Sequence, residues 1–352
     1  MTRNLTPFIA SARREAAPRV LFVIPGDGSG SSMIFIRRQI DALRAAGVIA
    51  CDFHLGTRTS PGTLLRERRR FRQVLREFSP DVVHAQYGTV TACFCLLSTR
   101  LPVVVTFRGS DLNPCRSISR ARSLAGRLLS HLAALGASEV VCVSEPLRRR
   151  LWRRSANIIP SGVDTRLFYP RPKHEARAEL GWPLDERVIL FNAGRDPVTK
   201  RLDLAREATE IARRSLHGIR LEMLDGTIPP VRIPTFLNAA DCVLVTSLFE
   251  GSPNIVKEAL ACNLPVVSVD VGDVKRRLEG VHPSAIVPAH PDEIARSLVQ
   301  ILLAPTRSNG FAGIGEISSA AMTRRTLDVY RSVVQRSRRK ILRAAADIVE
   351  GV

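Results

Sequence analysis

The sequence predicts two parallel α/β domains in tandem, closed by a C-terminal helical tail. Three observations carry that expectation. Short β-branched runs alternate with helix-length amphipathic stretches over most of the chain, the pattern of parallel sheets covered by helices. A turn-rich stretch at 161–172, with Gly162, Pro170 and Pro172, breaks the rhythm, which then restarts. The chain has 352 residues, 45% of them hydrophobic, enough for two domains with real cores.

In the first half, strands are expected at 19–24, 48–55, 82–85, 103–107, 139–143 and 157–159. Helices fall between them at 32–46, 64–77, 89–98, 120–135 and 146–153. Gly47 ends the first helix, because glycine readily takes the left-handed backbone a helix stop requires. The second half restarts with a strand at 188–193, a helix at about 203–214 and strands at 220–224 and 242–246. A short helix at 253–262 and a strand at 265–269 follow. A last helix at 320–335 places Leu327, Tyr330, Val333 and Val334 on its apolar positions and continues into the basic run 336–343. The expected division is 1–168, 169–319 and a tail at 320–352.

Composition narrows the function classes. A hydrophobic fraction of 45% excludes a disordered chain. The net charge is +19, and 47 of the 52 cations are arginine, a coding bias that makes the five lysines more informative. Residues 1–165 carry +14 of that charge and 166–352 only +5, so the first half faces an anionic partner: nucleic acid, a phosphorylated substrate or an anionic membrane surface. An ordinary solvated basic face is the simpler alternative. Seven cysteines, odd in number and without CxxC spacing, suggest reduced, buried thiols. The uncharged stretch 87–99 is too short to span a bilayer, and no leader sequence is evident, so a cytoplasmic protein is expected.

The richest segment runs from Ser247 to Ser268. Ser252 is a suitable N-cap and Pro253 suits the first helical position, while Asn263 can turn left-handed and Pro265 stops the helix. Asn254 and Glu258 share one side of the helix, and Glu250 lies just before its N-terminus, where free N–H groups favour anions. Two carboxylates eight positions apart can face one polar ligand; the simpler reading is a surface helix with solvated acids.

Glu250-x7-Glu258, with the Ala-Leu-Ala and Leu-Pro-Val-Val that follow, resembles the E-x7-E signature of the family 4 glycosyltransferases of GT-B fold. The loop Gly194-Arg195-x4-Lys200-Arg201-x-Asp203 is similar to that family's G-R-x4-K-G-x-D loop. The resemblance implies two Rossmann-like domains facing across a cleft, the C-terminal helix crossing back to the first. It implies that Glu258 holds the donor ribose, that Glu250 approaches the sugar, and that backbone of Gly251, Ser252, Pro253 and Asn254 lies near sugar and phosphates. Arg195 and Lys200 suit a leaving diphosphate. Gly194 and Lys257 join the donor side.

Weaker matches cover the first half. Gly26-Asp-Gly28-Ser29-Gly30 follows the first strand, where backbone N–H groups can receive phosphate. His84, and Arg108 with Asp111 after the fourth strand, resemble family strand ends on the cleft and acceptor side. His84 alone reads more simply as a core histidine. Arg108 stands where many relatives carry His, and it cannot act as a base at neutral pH. Val271-Gly-Asp-Val274-Lys replaces a common Gly-Gly-x-x-Glu loop.

The expected activity is a retaining sugar transfer from a nucleotide-diphosphate sugar to a glycan or lipid-diphosphate-linked acceptor in cell-surface polysaccharide or lipopolysaccharide assembly. No cofactor and no metal are expected, since no His, Cys, Asp or Glu cluster has metal spacing. The resemblance, together with the basic runs 66–72 and 148–154, implies a peripheral position at the inner face of the plasma membrane. The alternatives are a nucleotide-sugar epimerase and a basic membrane- or nucleic-acid-binding protein on a degenerate scaffold. Few aromatics (5%) and the lack of a helix-turn-helix or RNA-recognition signature argue against nucleic acid.

Overall fold

The structure is a computed structural model and describes residues 17–28, 33–56, 60–114, 119–153, 155–194 and 196–350. The first half forms β1 (Arg19–Pro25), α1 (Ile34–Ala45), β2 (Ile49–Leu55), α2 (Pro61–Phe78), β3 (Val82–Ala85), α3 (Thr89–Ser98), β4 (Val103–Phe107), α4 (Arg120–Gly136), β5 (Glu139–Cys142), α5 (Glu145–Arg149) and β6 (Asn157–Ile158). Its six strands run parallel in the order β2-β1-β3-β4-β5-β6.

The second half begins with α6 (Lys173–Leu180), β7 (Arg187–Asn192), α7 (Leu202–Ser215), β8 (Ile219–Leu224), α8 (Ile233–Ala239) and β9 (Cys242–Val245). It continues with α9 (Asn254–Ala261), β10 (Val266–Val269), α10 (Val274–Arg277), β11 (Ala285–Val287) and α11 (Pro291–Leu303). A 3-10 segment, Gly310–Ile317, leads into α12 (Ser319–Glu350). Five parallel strands make the second sheet in the order β11-β10-β9-β7-β8. The architecture is GT-B: two parallel-sheet α/β units facing across a cleft.

Strands buried on both faces explain the near-continuous apolar runs in the sequence. One face of the first sheet packs on α2, α3 and α4, where Phe53, Phe71 and Phe94 meet with centroids 5.2 to 6.2 Å apart. The other packs on α1 and on α12, which brings Met322, Val329, Tyr330 and Val333 back from the far end of the chain. Each such burial contributes on the order of 1.5–3 kcal/mol. The chain therefore passes between the units twice, side by side. Val163 N–H donates to Ile317 O (2.9 Å) and Ser319 N–H to Val163 O (2.7 Å). A Cβ on Gly162 would sit 2.5 Å from Ser319 Cα, so only glycine permits this approach.

Several elements differ from expectation. α12 runs to residue 350 and absorbs the basic run, whereas α5 is only five residues long. Helices α6, α8 and α11 and strand β11 were not anticipated. Of the six described cysteines all are free, four of them buried; Cys115 lies outside the described residues.

Candidate active site

A cleft of about 490 Å³ opens where the carboxyl ends of the two sheets face each other, the place where open α/β sheets bind ligands. From the second unit it is lined by Asn192 at the end of β7, Thr199 and Lys200 of the following loop, and Phe249 to Ile255 and Glu258 around the start of α9. Arg38, Tyr87, Arg108 to Ser110, Asn113 and Ser161 line it from the first unit and the crossing.

The β7–α7 loop is built to present Lys200. Asp196 accepts from Thr199 N–H (3.1 Å) and its hydroxyl (2.7 Å), closing a tight turn. Thr246 Oγ1 donates to Lys200 O (2.8 Å), and Leu248 N–H to Thr199 O (2.9 Å), so this loop is stitched to the one after β9. As a result Lys200 Nζ reaches Glu250, whose carboxylate also accepts from Ser247 Oγ at 2.9 Å. The structure thus pairs two residues fifty positions apart that the motifs had singled out separately.

α9 carries the second carboxylate. Its N-cap is Pro253, in extended backbone, and Asn254 is the first helical residue. This corrects the expectation that Ser252 caps the helix and Pro253 opens it: the Ser252 hydroxyl turns to Asp273 (3.0 Å) instead. At the other end Asn263 has φ 53° and closes the helix as expected. Glu258 faces the cleft and accepts from Arg38 of α1 at 3.3 Å; Arg38 also donates to Pro230 O. Burial pushes the Glu258 carboxyl above its usual range, opposed by Arg38 and Lys257. Arg38 had no sequence signal, because its partner lies 220 residues away.

Other expected residues sit elsewhere. Lys257 does not face the cleft: it is buried, donates to Ser161 O (2.8 Å) at the crossing, and burial pulls its pKa down to about 7. His84 is fully buried in the first core, bonded to Tyr330 Oη (2.6 Å) and Thr106 Oγ1 (2.7 Å), because α12 covers that side of β3. Asp111 is buried too, and accepts from the N–H groups of Gly88, Arg108 and Gly109, shaping the loop rather than facing a ligand. Gly28 has φ 84° and packs against the His54 ring. Gly194 turns left-handed at the end of β7. Arg195, Ser29 and Gly30 lie outside the described residues.

Arg108 lines the cleft, yet its fork is engaged from within. It donates to Gln86, to Gln39 Oε1 (2.5 Å) and to Ser161 Oγ (3.1 Å), and lies over the Phe35 ring. Burial lowers its pKa to about 10, still a cation at neutral pH. The units touch directly here: Asn113 donates to Glu250 O (3.2 Å), and a Cβ on Gly251 would lie 2.1 Å from Arg108 O. Among the described residues, no three His, Cys, Asp or Glu side chains form a metal-binding group. No described helix is long and apolar enough to cross a membrane.

Comparison with known proteins bears on the family and the fold. Residues 9–160 match the family model of the glycosyl transferase 4-like domain, and 186–304 match that of the glycosyl transferases group 1. TuaC of Bacillus subtilis (strain 168), assigned as a glycosyltransferase of teichuronic acid biosynthesis, is 29% identical over 234 residues, 60% of this chain and 58% of TuaC. The chain thus spans little more than half the length of that relative. Sucrose-phosphate synthase from Thermosynechococcus elongatus superimposes with a TM-score of 0.71 at 16% identity, over 90% of this chain and 99% of that one. HepE of Anabaena, solved with UDP-glucose, gives 0.67 at 17%, over 90% and 100%. At such identities the structures speak for the fold alone. With a glycosyl transferase 4-like domain, a group 1 domain and the GT-B architecture in one chain, the protein belongs to the family 4 glycosyltransferases of GT-B fold.

Proposed function

We propose that this protein transfers a sugar from a nucleotide-diphosphate sugar to a glycan or lipid-diphosphate-linked acceptor in cell-surface polysaccharide assembly, with retention of configuration and without a metal. One observation carries the reading: Lys200, Glu250, Glu258 and the start of α9 converge in one cleft at the carboxyl ends of both sheets. Glu258, on a helix that fixes its direction, is suited to accept two ribose hydroxyls. Glu250 is suited to the sugar hydroxyls, and Lys200, with Arg195 of the same loop, to charge growing on the leaving diphosphate. Free N–H groups at the start of α9 add to that stabilisation. That a related fold binds UDP-glucose, and that a relative is assigned to teichuronic acid biosynthesis, supports the donor class and the setting. The +14 charge of residues 1–165 suits an acceptor anchored at the inner face of an anionic plasma membrane.

A panel of nucleotide-diphosphate sugars read by thermal shift tests the donor site. One or more should raise the melting temperature, and Lys200→Ala and Glu258→Ala should each remove the shift while leaving the ligand-free melting temperature within a few degrees. Unchanged binding in both variants sinks the site assignment. For the active donor, NMR of the first-formed product should show the donor's anomeric configuration, and the rate should survive EDTA.

A further inference from the structure

The helical face of the first unit that points away from its sheet carries an apolar seam. Helices α2, α3 and α4 lie side by side there, and Phe71, Phe94 and Ala133, one from each, share a single core. A helix in that position normally turns polar residues outward. α4 does the reverse. Leu124, Leu128, Leu132 and Leu135 recur at helical spacing and are 49–58% exposed, and beyond Arg122 every exposed residue of α4 is Leu, Ala or Gly. Leu97, at the end of α3, is 74% exposed. Trp152, 55% exposed, stacks on His131 of α4 at 4.3 Å, while Arg153 ties this segment to α4 by donating to Ala134 O and Ala137 O. Soluble surfaces rarely expose so continuous an apolar strip without something to cover it.

The surroundings say what covers it. α2 carries six arginines against two glutamates. Arg120 and Arg122 stand exposed at the start of α4, and Arg149 and Arg150 stand exposed beside Trp152. An apolar strip flanked by arginines, with an aromatic ring at its edge, matches the boundary between anionic headgroups and acyl chains. The position also suits the site: α4 begins six residues after Pro114, which lines the cleft.

We infer that this face docks on an anionic lipid bilayer, with the α4 leucines and Trp152 entering the headgroup boundary and the surrounding arginines holding the phosphates. The inference deepens the membrane-anchored acceptor proposed above and rests on that reading. It adds an element, a direction of approach and an apolar contribution that charge alone does not supply.

The test is flotation of the full chain with vesicles of phosphatidylcholine alone or mixed equally with phosphatidylglycerol. Binding should require phosphatidylglycerol, weaken as salt rises, and keep a salt-resistant remainder. Leu128→Glu/Leu132→Glu changes only exposed positions and should cut binding at least tenfold at every salt concentration. In a Trp182→Phe background, where Trp152 is the sole tryptophan, the emission should shift to the blue on adding anionic vesicles. Binding equal to the parent in the double variant, or no shift, overturns the inference. So does a chain that is dimeric in solution and made monomeric by the double variant, since the seam then joins two copies. Donor-induced thermal shift, read in the same samples, separates the failures: a retained shift without vesicle binding sinks only the docking, and vesicle binding without any donor shift sinks only the transferase.

Discussion

At the scale of single residues, His84 shows how burial decides a role. Its ring touches Tyr330 and Thr106 hydroxyls, each able to donate or accept, so the neutral ring is fully bonded. Burial, reinforced by Arg108, pulls its pKa down to about 3. In the unfolded chain the ring takes a proton near pH 6.5. Stability is therefore complete above that pH and is lost as pH falls toward the native value, by about 1.4 kcal/mol per pH unit. Between pH 7 and pH 5 the parent should lose about 2 kcal/mol more than His84→Gln in urea unfolding. Equal acid losses in both would remove His84 from the account. The sequence placed His84 correctly at a strand end but could not say which side was covered, because the cover, Tyr330, arrives 246 residues later.

The elements teach a related lesson about what was readable. Nearly all strands of both sheets stood out as β-branched runs, because buried parallel strands need no polar alternation. The short helix after β9 was readable from its ends, and its far end carries more than a stop signal. Asn263 takes φ 53°, its side chain accepts from Phe311 N–H (2.7 Å), and its carbonyl accepts from Ser308 N–H (2.7 Å). One residue thereby ends α9 and anchors the 3-10 segment that leads to α12. Asn263→Ala pays both the left-handed backbone and a lost hydrogen bond, about 2 kcal/mol together, whereas Asn263→Gly should cost about half as much. Urea unfolding of the three proteins checks the order; equal losses for Ala and Gly would mean that the backbone conformation contributes nothing. α11 was legible in principle, with Pro291, Asp292 and Glu293 in its first turn and Ile294, Leu298 and Ile301 on one face. The β10–α10 departure from the family pattern gave no guide to its contacts: Gly272 lies where a Cβ would crowd Gly251 O, a proximity set by folding of the whole unit.

For the whole molecule, the two halves of the cleft are made in separate units, so function depends on how closely they meet. Residue motifs supplied the second half well: Lys200, Glu250 and Glu258 all line the cleft. The first half was legible only in part: Arg108 stood out and lines the cleft, but Arg38 and Asn113 act across the gap and leave no local pattern. Gly251 marks the tightest point of contact. Its φ is not left-handed; glycine is required there for room, because a Cβ would fall 2.1 Å from the Arg108 carbonyl oxygen. The Arg108 oxygen is backbone and a Cβ has its place fixed by the backbone that carries it, so no side-chain rotation relieves the clash. To regain a van der Waals separation of roughly 3.5 Å, the units must part. Gly251→Ala should thus fold normally, with unchanged far-ultraviolet circular dichroism, yet scatter X-rays with a larger radius of gyration. Donor binding should fall only a fewfold, because Lys200, Glu250 and Glu258 keep their places in the second unit. The transfer rate should fall about a hundredfold or more, since an ångström of misplacement between reactants costs that much. A variant that keeps its rate while the radius of gyration grows would show that transfer does not need this closure.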